Sequence, residues 1–554
     1  MTACNPADPK PPAPRPAAVV MAPARLGAMH QTRLSFVRRL LRQWARERWA
    51  LACTRWELNP QGHGDAVYTL TARKAAYRLV VFSSPLAADE RSDRVIARRW
   101  DVTCALVLGD LDPDLFAQLR ANVPKQEAGR VNSRVLVLFR ANKSVRLFDH
   151  VLDALARGQQ PDPARLAQAG YLLRTTAVYG NGKFGLADFE RVRQDTDFDV
   201  SFSAQMCAVY LLRQFCLDWI HHLARHRGGD QAVALQRPLQ RYLGVGNATG
   251  LGMAPYLINH PRVVDRWLTQ RERALSAARA QPPSAAARQR LADLMARAAA
   301  HLAGVATVND RQRALNQTAA QELERIAQAL PTTPLPAWDD LLHDNRRYNL
   351  ETQEAVISGL LELYPDQVDP FADAMNADEA LTLPPGLRTG ELRDLLQRRY
   401  AWALAIDFDD PAQQHWFWYA SADKEEPRLG VRGIDPGHQR EAPLDIARQI
   451  HRLAAALDKE LDDCTVTDFL LRRPGHRRIA RRAWTLGHSD LGDIQSNVLA
   501  HDALPMHLLR CKLSLFGATR FDPRSDRWVR VTLFQGAPLA DEAHDGEWLF
   551  PVMP

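Results

Sequence analysis

The chain has 554 residues, of which 46% are hydrophobic and 24% are charged. This composition is typical of folded globular proteins and excludes disorder over most of the length. The length predicts roughly two to four domains. The 71 basic and 64 acidic residues give a formal charge of +7, an excess too small to identify a nucleic-acid-binding protein by itself.

Cysteine usage bears on the cellular compartment. The cysteines are scattered, odd in number and without a C-x-x-C pair, which argues against a disulfide framework and a zinc ribbon and favours a reducing compartment. We therefore expect a cytoplasmic protein. We expect no membrane association, because the best apolar run, Met206 to Ile220, is interrupted by Arg213 and Asp218. The seven cysteines are Cys4, Cys53, Cys104, Cys207, Cys216, Cys464 and Cys511.

The first segment, residues 1–30, is rich in Pro and Ala, and we expect a flexible tail there. Its apolar run, Ala17 to Met21, is too short for the core of a signal peptide. Whether the whole segment belongs to the true start of the chain stays open. Residues 31–50 then place apolar side chains at helical spacing among several arginines, which predicts an amphipathic basic helix. This helix is either a surface helix with solvated arginines or a docking face for nucleic acid or an acidic partner.

Residues 31–160 predict a small domain of mixed α and β structure. Short runs rich in Val, Tyr, Thr and Leu predict strands, and Asn59–Gly64 predicts a hairpin loop. The Gly158–Pro163 segment has the composition of a boundary. The predicted strands are 56–58, 66–71, 77–82, 102–108 and 134–139, and the predicted helices are 112–122 and 145–157.

The rest of the chain predicts a helical domain with glycine-rich loops at 164–330 and a C-terminal α+β domain at 337–554. The fold class is therefore α+β and predominantly helical: a small N-terminal mixed unit, a helical middle, and a C-terminal region with helices and a β-hairpin. The predicted helices include 203–225, 231–243, 443–461 and 466–484; the predicted strands include 400–408 and 415–419; the hairpin joins 508–516 to 528–534 through a turn at 521–526.

The segment Gly244–Gly252 holds four glycines, an Asn and a Thr in nine positions. We expect a loop, because so many glycines disfavour both helix and strand. Glycine lets backbone N–H groups approach a ligand closely, so the favoured ligand is an anion. The alternative is a structural loop between two helices, with Gly244 as a helix C-cap. The candidate binding residues are Gly244, Gly246, Asn247, Thr249, Gly250 and Gly252.

A helix is predicted before Gly244, whereas a dinucleotide-binding fingerprint needs a strand before its first glycine. The Walker A pattern is also absent from the sequence. We therefore expect neither a nicotinamide site nor a P-loop nucleotide site, and the cofactor stays unknown.

A second basic, glycine-rich segment surrounds Lys183. Arg174 could bind a carboxylate or phosphate as a fork, with Lys183 as a point charge or, if desolvated, a nucleophile. Asn181 and Gly182 would add backbone and amide donors. The alternative is a hairpin turn at Asn181-Gly182 with an exposed lysine.

The segment Gly487–Asp493 places an imidazole beside carboxylates. His488 could act as a general acid or base with Asp490 orienting it, which makes Lys183, His488 and Asp490 the candidate catalytic residues. It is not a nucleophile elbow, because the glycine spacing differs. The alternative is the capped start of a helix at Ser489 or Asp490.

Other clusters have weaker signals. On a strand the three aspartates at 195, 197 and 199 would share a face and could hold a divalent cation, although a solvated acidic edge explains them equally simply. An acidic cluster near His415 has turn formation as its alternative, and Cys511 has burial as its alternative to activation by His507. The metal stays unknown. The residues concerned are Asp195, Asp197, Asp199, Asp407, Asp409, Asp410, His415, His507 and Cys511.

We expect an enzyme of lyase or hydrolase type that acts on a small anionic substrate held by glycine-rich loops with Arg and Lys. The first alternative is a nucleic-acid-binding or regulatory protein that uses the basic helix and the arginine run Arg472–Arg482, on one continuous positive face. The second is a helical scaffold for protein partners, with an exposed apolar patch. A homo-oligomer stays open.

Overall fold

The structure is a computed structural model. It describes residues 11–90, 99–122, 133–180, 193–200, 202–250, 261–375, 381–407, 416–421, 428–431, 441–443, 446–491, 514–525, 528–542 and 548–554.

In these ranges nine strands form one mixed sheet in the order β1-β2-β3-β4-β5-β6-β7-β12-β11. Strands β6 and β7 run parallel, and the other neighbouring pairs are antiparallel. The sheet takes strands from each of the three regions that the sequence suggests. Its strands are β1 (Ala50–Leu58), β2 (Gly64–Thr71), β3 (Ala76–Ser83), β4 (Val102–Leu108), β5 (Val135–Lys143), β6 (Tyr171–Gly180), β7 (Gly244–Gly250), β11 (Ala518–Ser525) and β12 (Trp528–Leu533). A smaller sheet, in the order β10-β8-β9, contains β8 (Trp416–Ser421), β9 (Arg428–Val431) and β10 (Glu441–Pro443).

Helices make up most of the ordered elements, so the structure is mixed α/β and predominantly helical. The helices are α1 (Ala17–Val20), α2 (Pro23–Leu26), α3 (Phe36–Glu47), α4 (Pro113–Asn122), α5 (Phe148–Ala156), α6 (Pro163–Ala169), α7 (Ser203–Gly228), α8 (Arg237–Tyr242), α9 (Pro261–Arg279), α10 (Ala285–Gly304), α11 (Asp310–Ala329), α12 (Trp338–Asp344), α13 (Leu350–Leu363), α14 (Pro365–Asp373), α15 (Thr389–Arg399), α16 (Ala401–Leu404), α17 (Ile446–Leu457), α18 (Val466–Arg472) and α19 (Arg477–Gly487).

The strands predicted in residues 31–160 are confirmed as β1 to β5, and the Asn59–Gly64 hairpin joins β1 to β2. Alternation of side chains explains this success, because one set of strand residues packs under α7 and the other set packs under α4. Val81 and Cys104 belong to the first set, and Val80 and Ala105 belong to the second. We call these two surfaces of the sheet the α7 side and the α4 side.

The N-terminal segment differs from the flexible tail that we expected. Residues 11–30 are packed into the helical part of the protein, with Val20, Leu26 and Met29 buried. Arg15 donates to Glu272 at 2.6 Å and also contacts Glu354 on α13. Paired charges therefore fasten this segment, a feature that a high content of Pro and Ala does not reveal.

Helix α3 is also not the solvated basic helix that we expected. Arg38 and Arg39 are each only 3% exposed. Arg38 pairs with Glu362 on α13, and Arg39 pairs with Asp199 at 2.9 Å. The helix is amphipathic, but carboxylates from other elements cover its basic side.

Helices α15 to α19 form a separate core that packs against Phe521, Val529 and Val531 of β11 and β12. Three predictions in this region are wrong. The predicted strand 400–408 contains helix α16, and the predicted turn 521–526 lies largely within β11. The first strand of the predicted hairpin, 508–516, is helical at 514–516. The second strand is confirmed as β12, which pairs antiparallel with β11.

Among the helices in the described ranges, none combines the length and the apolar character that crossing a bilayer requires.

Candidate functional site

The glycine-rich segment Gly244–Gly250 is a strand, not the loop that we expected. It pairs parallel with β6 on one edge and antiparallel with β12 on the other. Ladder hydrogen bonds on both edges offset the backbone entropy that glycine loses in a strand. Gly244 is not a helix C-cap either, because α8 ends with Leu243 as its C-cap.

The glycines of β7 serve close packing. A Cβ on Gly246 would lie 2.7 Å from the ring carbons of Tyr171, and one on Gly244 would collide with the carbonyl oxygen of Leu533. Atoms that close overlap, so a side chain at either position would displace its neighbours. Helix α8 does precede this segment, as predicted.

Arg174, predicted to bind an anion with the glycine segment, lies directly opposite Gly246 across the β6–β7 pair. The same cross-strand row continues to Asn142 on β5 and to Thr532 on β12. Directly paired residues place their side chains on one side of the sheet. Here that is the α4 side. Arg140 pairs with Thr103, and Thr103 pairs with Phe82 of the α4-side core, so Arg140 lies on that side. Asn142 lies two residues further along β5 and shares the side of Arg140. Arg174 is only 4% exposed.

A second row lies one step nearer the carboxyl ends of β6 and β7. Ala248 pairs with Arg530 on β12, and Arg530 pairs with Asp522 on β11. Side chains two residues apart on a strand share a side, so this row lies beside the first. We call Arg174, Gly246, Ala248, Arg530 and Asp522 the β7 face.

The β7 face has a buried arginine on each strand that flanks β7, and the ring of Tyr171 lies against Gly246 between them. The backbones of β6 and β12 are two strand spacings apart, about 10 Å, and both arginine side chains are long enough to reach over β7. Arg530 is 5% exposed. Buried arginines of this kind bind carboxylate or phosphate groups through their forked donors.

Asp522 is a buried carboxylate beside these arginines and is 3% exposed. Its Oδ2 accepts from Arg524 Nη1 at 3.3 Å. Its Oδ1 is buried and has no hydrogen-bond partner among the described residues. A buried carboxylate oxygen without a donor is costly, so this atom is suited to accept a hydrogen bond from a ligand.

Arg520, next to the β7 face, has a structural role. It donates to the carbonyl oxygens of Ala167, Gln168 and Ala306 at 2.6, 2.9 and 2.7 Å. Burial lowers the pKa of its guanidinium, and the neighbouring Tyr242 and Asp522 oppose that effect. These carbonyls include the end of α6, where orphan acceptors are expected.

Asn247, another predicted binding residue, lies on the α7 side of the sheet, because successive strand residues alternate. Its Nδ2 donates to Thr175 Oγ1 at 2.9 Å, and both residues are buried. This bond links β6 to β7 from the side opposite Arg174.

Several predicted site residues lie at or beyond the ends of β6 and β7. Thr249 and Gly250 are in β7, where the structure describes their backbone. Asn181, Gly182, Lys183 and Gly252 lie outside the described residues.

The predicted pair of His488 and Asp490 does not form a dyad. His488 Nδ1 lies 2.7 Å from the carbonyl oxygen of Trp484, and Asp490 accepts from Arg399 at 2.6 Å. Both residues are exposed. The hydroxyl between them, Ser489, donates instead to Asp265 of α9.

The Asp265 carboxylate is the acceptor of the Ser489 hydrogen bond. Burial raises the pKa of the Asp265 carboxyl, while its hydrogen bond from Ser489 opposes the shift. The contact joins the residues that follow α19 to α9. Because His488, Ser489 and Asp490 each bond to a residue of a neighbouring helix turn or helix, this segment joins helices.

The three aspartates at 195, 197 and 199 do not form a strand or a cation site. Asp197 is buried and accepts from Tyr77 Oη at 2.7 Å and from Lys74 N at 2.8 Å. Asp199 pairs with Arg39, as described above. These carboxylates tie the segment before α7 to β3 and α3.

The remaining cluster predictions have no structural test. Asp409, Asp410, His415, His507 and Cys511 lie outside the described residues. Within the ranges that the structure covers, no group of three His, Cys, Asp or Glu side chains could hold a metal ion.

The arginine run Arg472–Arg482 is partly paired. Arg472 and Arg473 contact Glu460, and Arg482 is buried. Since α3 is buried too, the positive face that we expected for nucleic acid lacks one of its two elements. Binding through the arginine run stays a prediction.

Sequence reasoning missed Arg530 and Asp522. Both lie in a segment read as strand and turn, and their register opposite β7 depends on pairing between distant parts of the chain. Alternation of charged with apolar residues in Trp528–Leu533 is the signal that could have identified them, because it places Arg530 on the side opposite Val529 and Val531.

The chain matches no family model, no curated protein and no solved structure.

Proposed function

We propose that the protein is an enzyme of lyase or hydrolase type that acts on a small carboxylate- or phosphate-bearing substrate at the β7 face. Arg174 and Arg530 bind the anionic group from two sides of β7, and Asp522 exchanges a proton with the substrate. The observation that carries the proposal is the register that places Arg174 opposite Gly246 and Arg530 opposite Ala248.

Burial supports this assignment over a solvated one. Arg174 and Arg530 are both buried, and the buried carboxylate of Asp522 lies on β11, the strand next to that of Arg530. An anion stabilises a buried guanidinium group, and a substrate anion would add to the interactions that these two arginines make within the protein. Asp522 replaces His488 and Asp490 as the acid–base group, because its free oxygen lies on the same side of the sheet as the arginines.

Binding is tested by isothermal titration calorimetry with inorganic phosphate, malonate and glycerol 3-phosphate. We expect at least one of these anions to bind, and its dissociation constant to rise at least about tenfold in Arg174→Gln and in Arg530→Gln, since each variant removes a charge-assisted hydrogen bond. Arg237→Gln is the matched control, because Arg237 is exposed and pairs with Asp541. Unchanged affinity in both β7-face variants, with circular dichroism confirming folding, would overturn the proposal.

Catalysis is tested by a separate measurement of product formation. Mixtures of the protein with each anion that binds are followed by proton and phosphorus NMR for product formation. We expect Asp522→Asn to abolish turnover while the anion still binds, because the amide cannot exchange a proton. Equal turnover in wild type and Asp522→Asn would remove Asp522 from the mechanism.

A further inference from the structure

An open cleft lies on the α4 side of the sheet, at the end opposite the β7 face. Its volume is about 530 Å³, within the range of small-molecule sites. Strands β1 to β3 form its floor and helix α4 forms one wall. Among its lining residues are Arg55, Arg78, Phe116, Ala117 and Arg120. We call it the α4 cleft.

Two arginines of the α4 cleft share one carboxylate. Arg55 Nε donates to Asp65 Oδ2 at 2.5 Å, and Arg120 donates to Asp65 Oδ1. The Asp65 side chain is 5% exposed, whereas those of Arg55 and Arg120 are 45% and 57% exposed. Two guanidinium groups therefore meet on one buried carboxylate at the mouth of the cleft, and the exposed Glu57, opposite Asp65 across the β1–β2 pair, is the next carboxylate on this side.

The same arginines keep unused donors. A guanidinium group has five N–H donors, and Asp65 is the hydrogen-bond acceptor of Arg55 and of Arg120 in the described part of the chain. Because Asp65 fixes one edge of each guanidinium group, the other edges are oriented for a second acceptor. Two such forks side by side match a carboxylate or a phosphate.

An aromatic ring positions the pair. The guanidinium carbons of Arg55 and Arg120 lie 4.8 and 5.0 Å from the centroid of the Phe116 ring. Arg120 also lies 5.7 Å from the ring of Phe82. Cation–π contacts of this kind reduce the entropy that the arginines would lose on binding.

The other charges around the α4 cleft are neutralised locally. Arg78 pairs with Asp110 at 2.8 Å, and Arg134 pairs with Asp112 at 2.6 Å. Arg55 and Arg120 are therefore the arginines of the cleft that share a carboxylate with each other. The lining also includes apolar side chains, namely Leu111, Pro113 and Ala117.

We propose that the α4 cleft is a binding site for a small organic anion with a planar apolar body. The carboxylate or phosphate lies against Arg55 and Arg120, and the ring lies against Phe116, Val67 and Leu111. This site is separate from the β7 face and does not depend on the proposed reaction there.

Ligand-observed saturation-transfer NMR tests the proposal with phenyl phosphate, benzoate, phenol and methyl phosphate. We expect phenyl phosphate and benzoate to bind, and phenol and methyl phosphate to bind at least about tenfold more weakly, because phenol lacks the anion and methyl phosphate lacks the ring. Absence of binding by both aromatic anions would overturn the proposal.

Two variants locate the site. Ala117→Leu fills the α4 cleft without altering a charge, and Arg120→Gln removes one fork while Arg55 keeps Asp65 neutralised. We expect each to weaken phenyl phosphate binding at least about tenfold. Ala121→Leu is the matched control, because Ala121 is exposed on the same helix and does not line the cleft.

The outcome is independent of the β7 face. In Arg174→Gln and Arg530→Gln, the phenyl phosphate binding that Ala117→Leu removes should remain, whether or not the β7 face also binds the phosphate group. A loss in those variants, with full affinity in Ala117→Leu, would overturn the assignment to the cleft. Thermal unfolding of each variant checks that the fold is intact.

Discussion

Two groups of arginines in this protein have opposite surroundings. In the N-terminal segment, Arg15 and Arg25 reach the buried carboxylate of Glu354, which Arg271 also contacts. In the α4 cleft, Arg55 and Arg120 share Asp65 but remain about half exposed. The first group is enclosed by protein, and the second faces solvent with donors to spare.

The difference shows why a basic residue count does not locate function here. The chain contains runs such as Arg38-Arg39 that resemble a nucleic-acid-binding surface, yet these side chains are buried against carboxylates of distant elements. The exposed arginines of the α4 cleft are isolated in the sequence. The surroundings of each arginine, and not its place in a basic run, therefore distinguish the two groups.

The largest expected effect comes from Glu354→Gln. The carboxylate is fully buried and accepts from Arg25 at 2.7 Å and Arg271 at 2.6 Å. Removal of its charge leaves three arginines around Glu272, which contacts Arg15 and Arg271, so we expect a loss of about 3–5 kcal/mol in the free energy of unfolding. Urea unfolding measures it, with the exposed Glu324→Gln on α11 as control. Equal stability of the two variants would contradict this account.

Acid should weaken the same contacts. Arg271, Arg15 and Arg25 together hold the pKa of Glu354 well below its usual range, against the opposing effect of burial. Because the folded-state pKa is depressed, the stabilisation is complete above the unfolded-state pKa of about 4.3 and is lost as the pH falls below it.

Urea midpoints between about pH 6 and pH 2.5 test this dependence. We expect the wild-type free energy of unfolding to fall by up to about 1.4 kcal/mol per pH unit more steeply than that of Glu354→Gln at the acid end. Parallel curves for the two proteins would show that Glu354 does not carry the dependence.

Asp65→Asn should have an intermediate effect. The two arginines that contact Asp65 are about half exposed, so water can hydrate them when the carboxylate is removed. The loss in the free energy of unfolding should therefore be about 1 kcal/mol, well below that of Glu354→Gln. Guanidinium chloride unfolding of both variants under one condition makes the comparison. A loss as large as that of Glu354→Gln would place the α4 cleft among the structural contacts.

Arg120→Gln should change stability least. Its side chain is 57% exposed and Arg55 remains on Asp65, so we expect a change within about 0.5 kcal/mol. The expected effect is on ligand affinity instead, which would sharpen the contrast with Glu354. Differential scanning calorimetry measures the stability change, and a shift in melting temperature of many degrees would argue against a binding role.

Strands β1 to β5 could be predicted, because each contains a short run rich in Val, Leu, Tyr or Thr bounded by turn residues. Helix α7 could be predicted from its apolar pattern. Strand β7 could not, since its glycines oppose strand formation and its stability comes from β6 and β12 on either side. Local sequence does not encode that pairing.

Part of the candidate site could also be predicted from the sequence. Arg174 and the glycine segment could be connected as an anion site from residue chemistry, and the structure places Arg174 opposite Gly246. The contribution of Arg530 and Asp522 depends on a register between residues far apart in the chain. His488 and Asp490 are neighbours in sequence, but their side chains have separate partners.

The pairing of β7 with β12 has a consequence for biosynthesis. Residues 245–250 meet their partners at 528–533, which leave the ribosome only after about 280 more residues have been added, a delay that high contact order implies. During translation one edge of β7 therefore has no neighbour, and unpaired strand edges promote aggregation. Newly made chains would need a chaperone, or a transient cover on this edge, until the last hairpin arrives.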